Sequence, residues 1–281
     1  MERRAILKLI GAGIGTASFG AAPVLAQAQG AFQLAVMPNL SARIILTNYR
    51  PMREYLQSAL GRPVEIVTAT DLREFYTRTL AGTYDLVIMA ANLARVAELD
   101  AKFELLGGLE PPIPALFVTR KDAPMATYEA LRGKALALAN PQSLVALTAK
   151  ATLAASGLGA EREYRTVWAR NEDSLGQLLA SGEAPMASMS MGEFRALREE
   201  LRQTLEFREF AKVPNFFALA GKPMAAADSA RLRTLLYAFS ESELGKEFQS
   251  LSGVQRIRAV PPADLDGLDA TLAETRAALR S

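Results

Sequence analysis

Residues 135–148 read ALALANPQSLVALT, from Ala135 to Thr148. The first five are small and apolar with no polar alternate, the pattern of a strand buried on both faces. Asn140-Pro141 ends the run, because proline lacks an amide donor and fixes φ. Gln142 and Ser143 then open a helix expected to run to about Ser156, with Ser143 placed to cap its first turn. A strand that feeds a helix N-terminus presents free N–H groups and the positive end of the helix dipole. Open α/β sheets bind ligands at such places, at the carboxyl ends of their strands. The same stretch also fits a plain strand, turn and capped helix, so its neighbours must decide.

Upstream, short apolar strands alternate with amphipathic helices. Strands are expected at Phe32–Met37, Pro63–Ala69 and Leu86–Met89. Between and after them lie helices Ala42 to about Leu60, Leu72–Ala81 and Leu93–Leu99. Ser41 is a candidate cap for the first helix, Pro51 should kink or split it, and Gly61 should stop it. Such alternation predicts an α/β sheet with right-handed crossovers. Downstream the expected strands are Pro111–Thr119, Tyr164–Ala169 and Met186–Met189, and Phe207–Ala220 is extended around Pro214. Helices are expected at Tyr128–Lys134, Leu175–Ala180, Gly192 to about Leu205, Ala227–Phe239, Glu241–Leu251 and Ala263–Leu279.

Met1–Ala28 has the form of an export signal. Arg3, Arg4 and Lys8 precede an apolar run from Leu9 to Leu25, and Ala26-Gln27-Ala28 supplies a cleavage site. The paired arginines resemble a twin-arginine signal, while Glu2 in front of them leaves the general secretory route open. A soluble periplasmic protein cleaved near Ala28 is the expectation. The net charge of +2 equals the excess in that leader, so the remainder is balanced, which argues against a nucleic-acid partner. There is no cysteine and no histidine. Disulfides, thiol chemistry, Ser-His triads and most zinc or copper sites are thereby excluded, and no metal or cofactor is expected. No G-x-G-x-x-G follows the first strand, and neither a P-loop nor a G-x-S-x-G elbow occurs.

An ordered set of short motifs runs along the chain. It comprises Tyr49-Arg50-Pro51-Met52 with Tyr55-Leu56, Leu60-Gly61-Arg62-Pro63-Val64, and Gly82-x-Tyr84-Asp85-Leu86. Leu131-Arg132-Gly133-Lys134, Asn140-Pro141-Gln142-Ser143 and Leu179-Ala180-Ser181-Gly182 follow. In this the sequence resembles the type II periplasmic solute-binding proteins, and among them the phosphonate/phosphite/phosphate-binding family of ABC transporters. The resemblance implies a two-lobed α/β fold with hinged mixed sheets flanked by helices. Lobe 1 would hold residues 29–117 and 215–281, and lobe 2 residues 118–214, with crossings near Leu116–Arg120 and Val213–Leu219. A small anionic or zwitterionic ligand would lie in the cleft, and its binding would close the hinge. The partner would be an ABC permease or, alternatively, a membrane sensor kinase, and the receptor itself a monomer.

The candidate ligand-binding residues are Asn39, Asp71, Met89, Asn92, Gln142, Ser143, Asn171, Ser190 and Asn215. Gln142 and Ser143 would present the helix N-terminus, the asparagines would offer adaptable hydrogen bonds, and Met89 would wall the pocket. Asp71 is a helix cap or, if turned to the cleft, a partner for a cation. Leu72, Met89, Leu144, Met189 and Met191 near strand ends favour a more apolar or singly charged organic ligand over a dianionic phosphonate. An enzyme on the same fold is the alternative of another class, with Asp71, Glu172 and Asp173 as its acids. They form no carboxylate pair of evident catalytic spacing, so no enzyme is expected.

Overall fold

The computed structural model describes residues 30–221 and 223–280; the expected export signal lies outside them. In the first sheet β1 (Phe32–Val36), β2 (Val64–Val67) and β3 (Leu86–Met89) run parallel, connected by α1 (Ala42–Leu60) and α2 (Leu72–Leu80). β1 is central to the three, with Leu34 opposite Ile66 on one side and Leu86 on the other. α3 (Ala91–Ala101) leads to β4 (Leu105–Glu110).

The chain then changes sheet. β5 (Ile113–Arg120), β6 (Ala135–Ala139), β7 (Arg165–Ala169), β8 (Met186–Ser190) and β9 (Leu205–Val213) form the second sheet, in the order β7-β6-β8-β5-β9. Its helices are α4 (Leu144–Ala155), α5 (Glu172–Ser181), α6 (Met191–Ala196) and α7 (Glu199–Arg202). β10 (Phe217–Ala220) returns to the first sheet and lies antiparallel between β3 and β4. α8 (Ala226–Phe239), α9 (Glu243–Ser252), β11 (Arg256–Arg258), α10 (Pro262–Asp269) and α11 (Leu272–Arg280) complete the described chain. The first sheet therefore has the order β11-β4-β10-β3-β1-β2. The sheet changes fall at residues 111–112 and 214–216, the first of them ahead of the expected crossing at Leu116–Arg120.

The inner strands of both sheets are buried on both faces, as continuous apolar strands require. On one face of the first sheet Leu34, Val36, Leu86 and Ile88 meet Ile45, Met52 and Leu56 of α1, with Leu236, Phe239 and Phe248 of α8 and α9. On the other, Ala35, Val87, Met89 and Leu219 meet Phe75, Leu93 and Val96. That second cluster continues across the lobe boundary into Leu144, Val145 and Val213, so the lobes are packed together.

Several elements differ from the sequence expectation. Pro51 does not split α1, which runs unbroken through it. Buried Ile45, Tyr49, Met52 and Leu56 on both sides hold the helix against the sheet across the missing hydrogen bond. The single helix expected from Gly192 to about Leu205 is two short ones. Leu197 leaves the helical region (φ −57, ψ 146) and buries its side chain in the core of the second lobe. Gly176 of α5 makes that packing feasible, since a Cβ there would stand 2.4 Å from Leu201 and 3.0 Å from Leu197. The helix expected at Ala263–Leu279 is broken where the Thr271 hydroxyl donates to the Leu268 carbonyl, competing with the helical ladder. β4 and β11 were not anticipated.

Candidate functional site

The strand ends of the two lobes face one cavity of about 530 Å³, its open mouth included. Met37, Pro38 and Asn39 reach it from the end of β1, and Ala90 from the end of β3. From the other lobe come Ala139 and Asn140 after β6, Arg170 after β7, and Ser190 at the end of β8. The crossing segments contribute Ile113, Val213, Pro214 and Phe216. Every parallel strand represented here points its carboxyl end at the cavity, which is where open α/β sheets place their ligands.

Helix N-termini gather at the same place, and most are already satisfied. Asn171 caps α5, its side-chain oxygen accepting from the Ser174 amide at 3.1 Å and the Ser174 hydroxyl at 3.0 Å. Ser190 and Glu193 form a reciprocal capping box on α6: the Glu193 amide donates to Ser190 Oγ at 3.1 Å, and the Ser190 amide to the Glu193 carboxylate at 2.6 Å. Ser41 makes no side-chain cap on α1. Instead its amide and hydroxyl donate to the two carboxylate oxygens of Glu172, at 2.8 and 2.6 Å, across the lobe boundary.

Two N-termini, one uncapped and one weakly capped, are turned to the cavity wall. α3 starts at Ala90, which has no side chain to cap it, so its first-turn amides have no intrahelical acceptor. α4 starts at Ser143, whose Oγ accepts from the Ala146 amide only at 3.5 Å, while the amides of Leu144 and Val145 open its first turn. Ala90, Ser143, Leu144 and Val145 all line the cavity. The positive ends of two helices, one from each lobe, therefore converge on it, with exposed Arg170 at its wall.

The carboxylates nearby are buried. Glu172 is 0% exposed and Glu193 6% exposed. Among the described residues neither has an ion-pair partner. Burial, reinforced by the charge of Glu172 and opposed by the Ser190 hydrogen bonds, pushes the Glu193 carboxyl up to about 7.

Of the residues singled out in the sequence, Asn39, Ser143 and Ser190 line the cavity. The other six do not. Asp71 is exposed and caps α2, accepting from the Glu74 amide at 2.8 Å. Met89 is fully buried in β3 opposite Phe217. Asn92 donates to the Gln142 carbonyl and the Thr275 hydroxyl, both at 3.1 Å, and Gln142 donates to the Ala278 carbonyl at 2.9 Å. These two amides tie α11 to both lobes. Asn171 serves its helix. Asn215 lines a separate small pocket and donates to the Pro111 carbonyl at 2.8 Å, pinning one crossing segment to the other.

Of the apolar five, only Leu144 lines the cavity; Leu72, Met89, Met189 and Met191 pack in the cores. The apolar wall is built instead by Met37, Ile113, Val213, Pro214 and Phe216. Arg170 and Glu193 were missed. Ser190-x-x-Glu193 is a legible capping-box signature, whereas nothing local distinguishes Arg170. Among the described residues no group of three or more carboxylate, histidine or cysteine side chains is placed to hold a metal ion, and no helix is long and apolar enough to cross a membrane.

Two hinged mixed sheets with a cleft at their facing strand ends define a periplasmic binding protein of type II. Residues 34–265 match the family described as ABC transporter, phosphonate, periplasmic substrate-binding protein, and the chain belongs to that family. The fold is similar to that of PhnD1 from Prochlorococcus marinus, solved with methylphosphonate: TM-score 0.76 and 11% identity over 87% of this chain and 98% of that one. A binding-protein component of an ABC phosphonate transporter from Pseudomonas aeruginosa matches with TM-score 0.76 and 13% identity, over 89% and 88% of the two chains. The alkanesulfonate-binding protein SsuA from Xanthomonas axonopodis pv. citri, bound to MOPS, matches with TM-score 0.63 and 17% identity, over 90% and 94%. At these identities the likeness is one of fold. No curated protein sequence matches the chain. Members of the family are periplasmic receptors that bind small molecules and work with ABC permeases.

Proposed function

We propose that this receptor captures a small organic oxyanion with one negative charge, of the phosphonate or sulfonate type, and hands it to its permease. The observation that carries this reading is the convergence of the N-termini of α3 and α4, from opposite lobes, on one cavity. Partly buried, a helix N-terminus contributes up to ~2 kcal/mol to an anion, so two of them with Arg170 suffice for one charged group. The hydroxyls of Ser143 and Ser190 accept as caps and keep their protons to donate to the ligand, and Asn39 adds an adaptable amide. Met37, Ile113, Val213 and Phe216 would take the organic part. The solved relatives bound to methylphosphonate and to MOPS agree with this class. The role is binding without turnover, and the leader would be removed near Ala28.

The test is a thermal-shift and calorimetric panel of alkylsulfonates, alkylphosphonates, carboxylates, amino acids and polyamines on the protein from Gln29 onward. A ligand at a hundred times its Kd should stabilise the fold by about 2.7 kcal/mol. A response to polyamines alone would overturn the reading.

A further inference from the structure

The Glu172 carboxylate lies at the start of two helices at once. It is the first residue of α5, and it holds the amide and hydroxyl of Ser41 at the start of α1. Two positive helix ends meet there, no lysine or arginine among the described residues pairs with the charge, and the side chain is fully buried. The site adjoins the ligand cavity on both sides, since Asn39 is two residues before Ser41 and Arg170 two before Glu172, and both line it. A protein-borne anion thus occupies a cleft-side helix start that neither caps itself nor opens into the cavity.

We propose that Glu172 determines specificity: its carboxylate takes the Ser41 donors at the α1 start for the protein and restricts the cleft to ligands with one negative charge. This rests on the oxyanion reading of the cavity. A monoanion is served by the α3 and α4 ends. A second negative charge on the same ligand finds the Ser41 donors already taken and meets the charge of a buried carboxylate two residues along the chain from Arg170 of the cavity wall, where a low-dielectric surrounding screens poorly. Discrimination of this kind works by repulsion against the wrong ligand as much as by attraction for the right one. Glu193, on the same cavity wall, adds to that repulsion whenever it is ionised.

The test uses two tetrahedral oxyanions whose charges do not change near neutral pH, methanesulfonate and sulfate, titrated by calorimetry into the wild type, E172Q and S41A. The glutamine carbonyl of E172Q can still accept from Ser41, so this variant removes charge and keeps shape. The wild type is expected to prefer methanesulfonate, and E172Q to shift the affinity ratio toward sulfate by roughly tenfold or more, as removal of one poorly screened unit charge should. S41A keeps the carboxylate and should keep the wild-type preference, which a merely structural role for the pair would not predict. An unchanged ratio in E172Q, with methanesulfonate still bound, overturns the proposal and leaves the oxyanion reading intact. Binding of neither anion by any of the three proteins overturns both.

Discussion

Ser41 and Glu172 are 131 positions apart and belong to different lobes, yet both carboxylate oxygens of Glu172 accept from Ser41. The contact joins the two lobes beside the cleft, and we expect it to favour closure. Removing the hydroxyl in S41A deletes one hydrogen bond to a charged acceptor, a loss of about 1.5–3 kcal/mol. The urea midpoint should fall with no change in m, and small-angle scattering should register a larger radius of gyration as open forms gain population. Wild-type values of both would mean that the contact contributes nothing to closure.

Glu193 is expected to give stability a pH dependence. Its folded-state pKa of about 7 is above the ordinary carboxylate value, so the fold prefers the neutral acid. That contribution is complete below about pH 4.5 and is lost as pH rises through about 7, by about 3 kcal/mol in total. Urea unfolding at pH 5 and pH 8 should show E193Q gaining on the wild type at the higher pH. Equal differences at the two pH values would rule the effect out.

Ala90 offers a direct probe of the α3 terminus. Aspartate at this N-cap position can accept from the first-turn amides, as the preferred capping residues do. A90D sets that cap against the cost of a largely buried carboxylate, so urea unfolding should first establish that the ligand-free variant folds. It would also place a negative charge where the ligand's belongs, and binding of an oxyanion should drop about a hundredfold or vanish. Unimpaired binding in a folded A90D protein would remove α3 from the site.

The fastening of α11 is also testable. Asn92 is fully buried and divides its amide between Gln142 of the second lobe and Thr275 of α11. N92A leaves both acceptors unmet and should cost about 1–3 kcal/mol. Amide exchange should accelerate in 272–280 more than in β1 or β3. Arg276 on Asp100 and Arg95 on Asp269 would still hold the two C-terminal helices to α3, so the rest of the fold should persist.

What the sequence discloses depends on how local the cause is. Leu86–Met89 and Ala135–Ala139 are apolar throughout and flanked by turn residues, and both strands appear with the expected ends. Asp71, Ser143 and Asn171 behave as caps, an interaction that spans only three residues. β4 was missed because Gly107-Gly108 looks like a turn. Its partners are β10 and β11, and a Cβ at Gly107 would press on Tyr237 and the Arg258 carbonyl at 3.0 Å. The polar residues at strand ends misled for the same reason. Asn92 and Gln142 have the chemistry of ligand groups, but α11 takes up their amide donors from more than a hundred positions away. Ser41 resembles a cap by every local criterion, and only the folded chain brings Glu172 to it.

The position of β10 between β3 and β4 has a consequence for the order in which the chain can fold. Residues 113–213 are contiguous and carry every strand of the second sheet, so that lobe can assemble as soon as this segment is free. The first lobe cannot. Its sheet lacks an inner strand until Phe217–Ala220 arrives, and until then β3 and β4 present unpaired edges to solvent. Refolding should therefore show an early phase in the second lobe and a slower one in the first, set by a closure over more than a hundred residues. A nascent or partly unfolded chain is most exposed to aggregation during that interval, and any chaperone that protects it would be needed at the edges of β3 and β4.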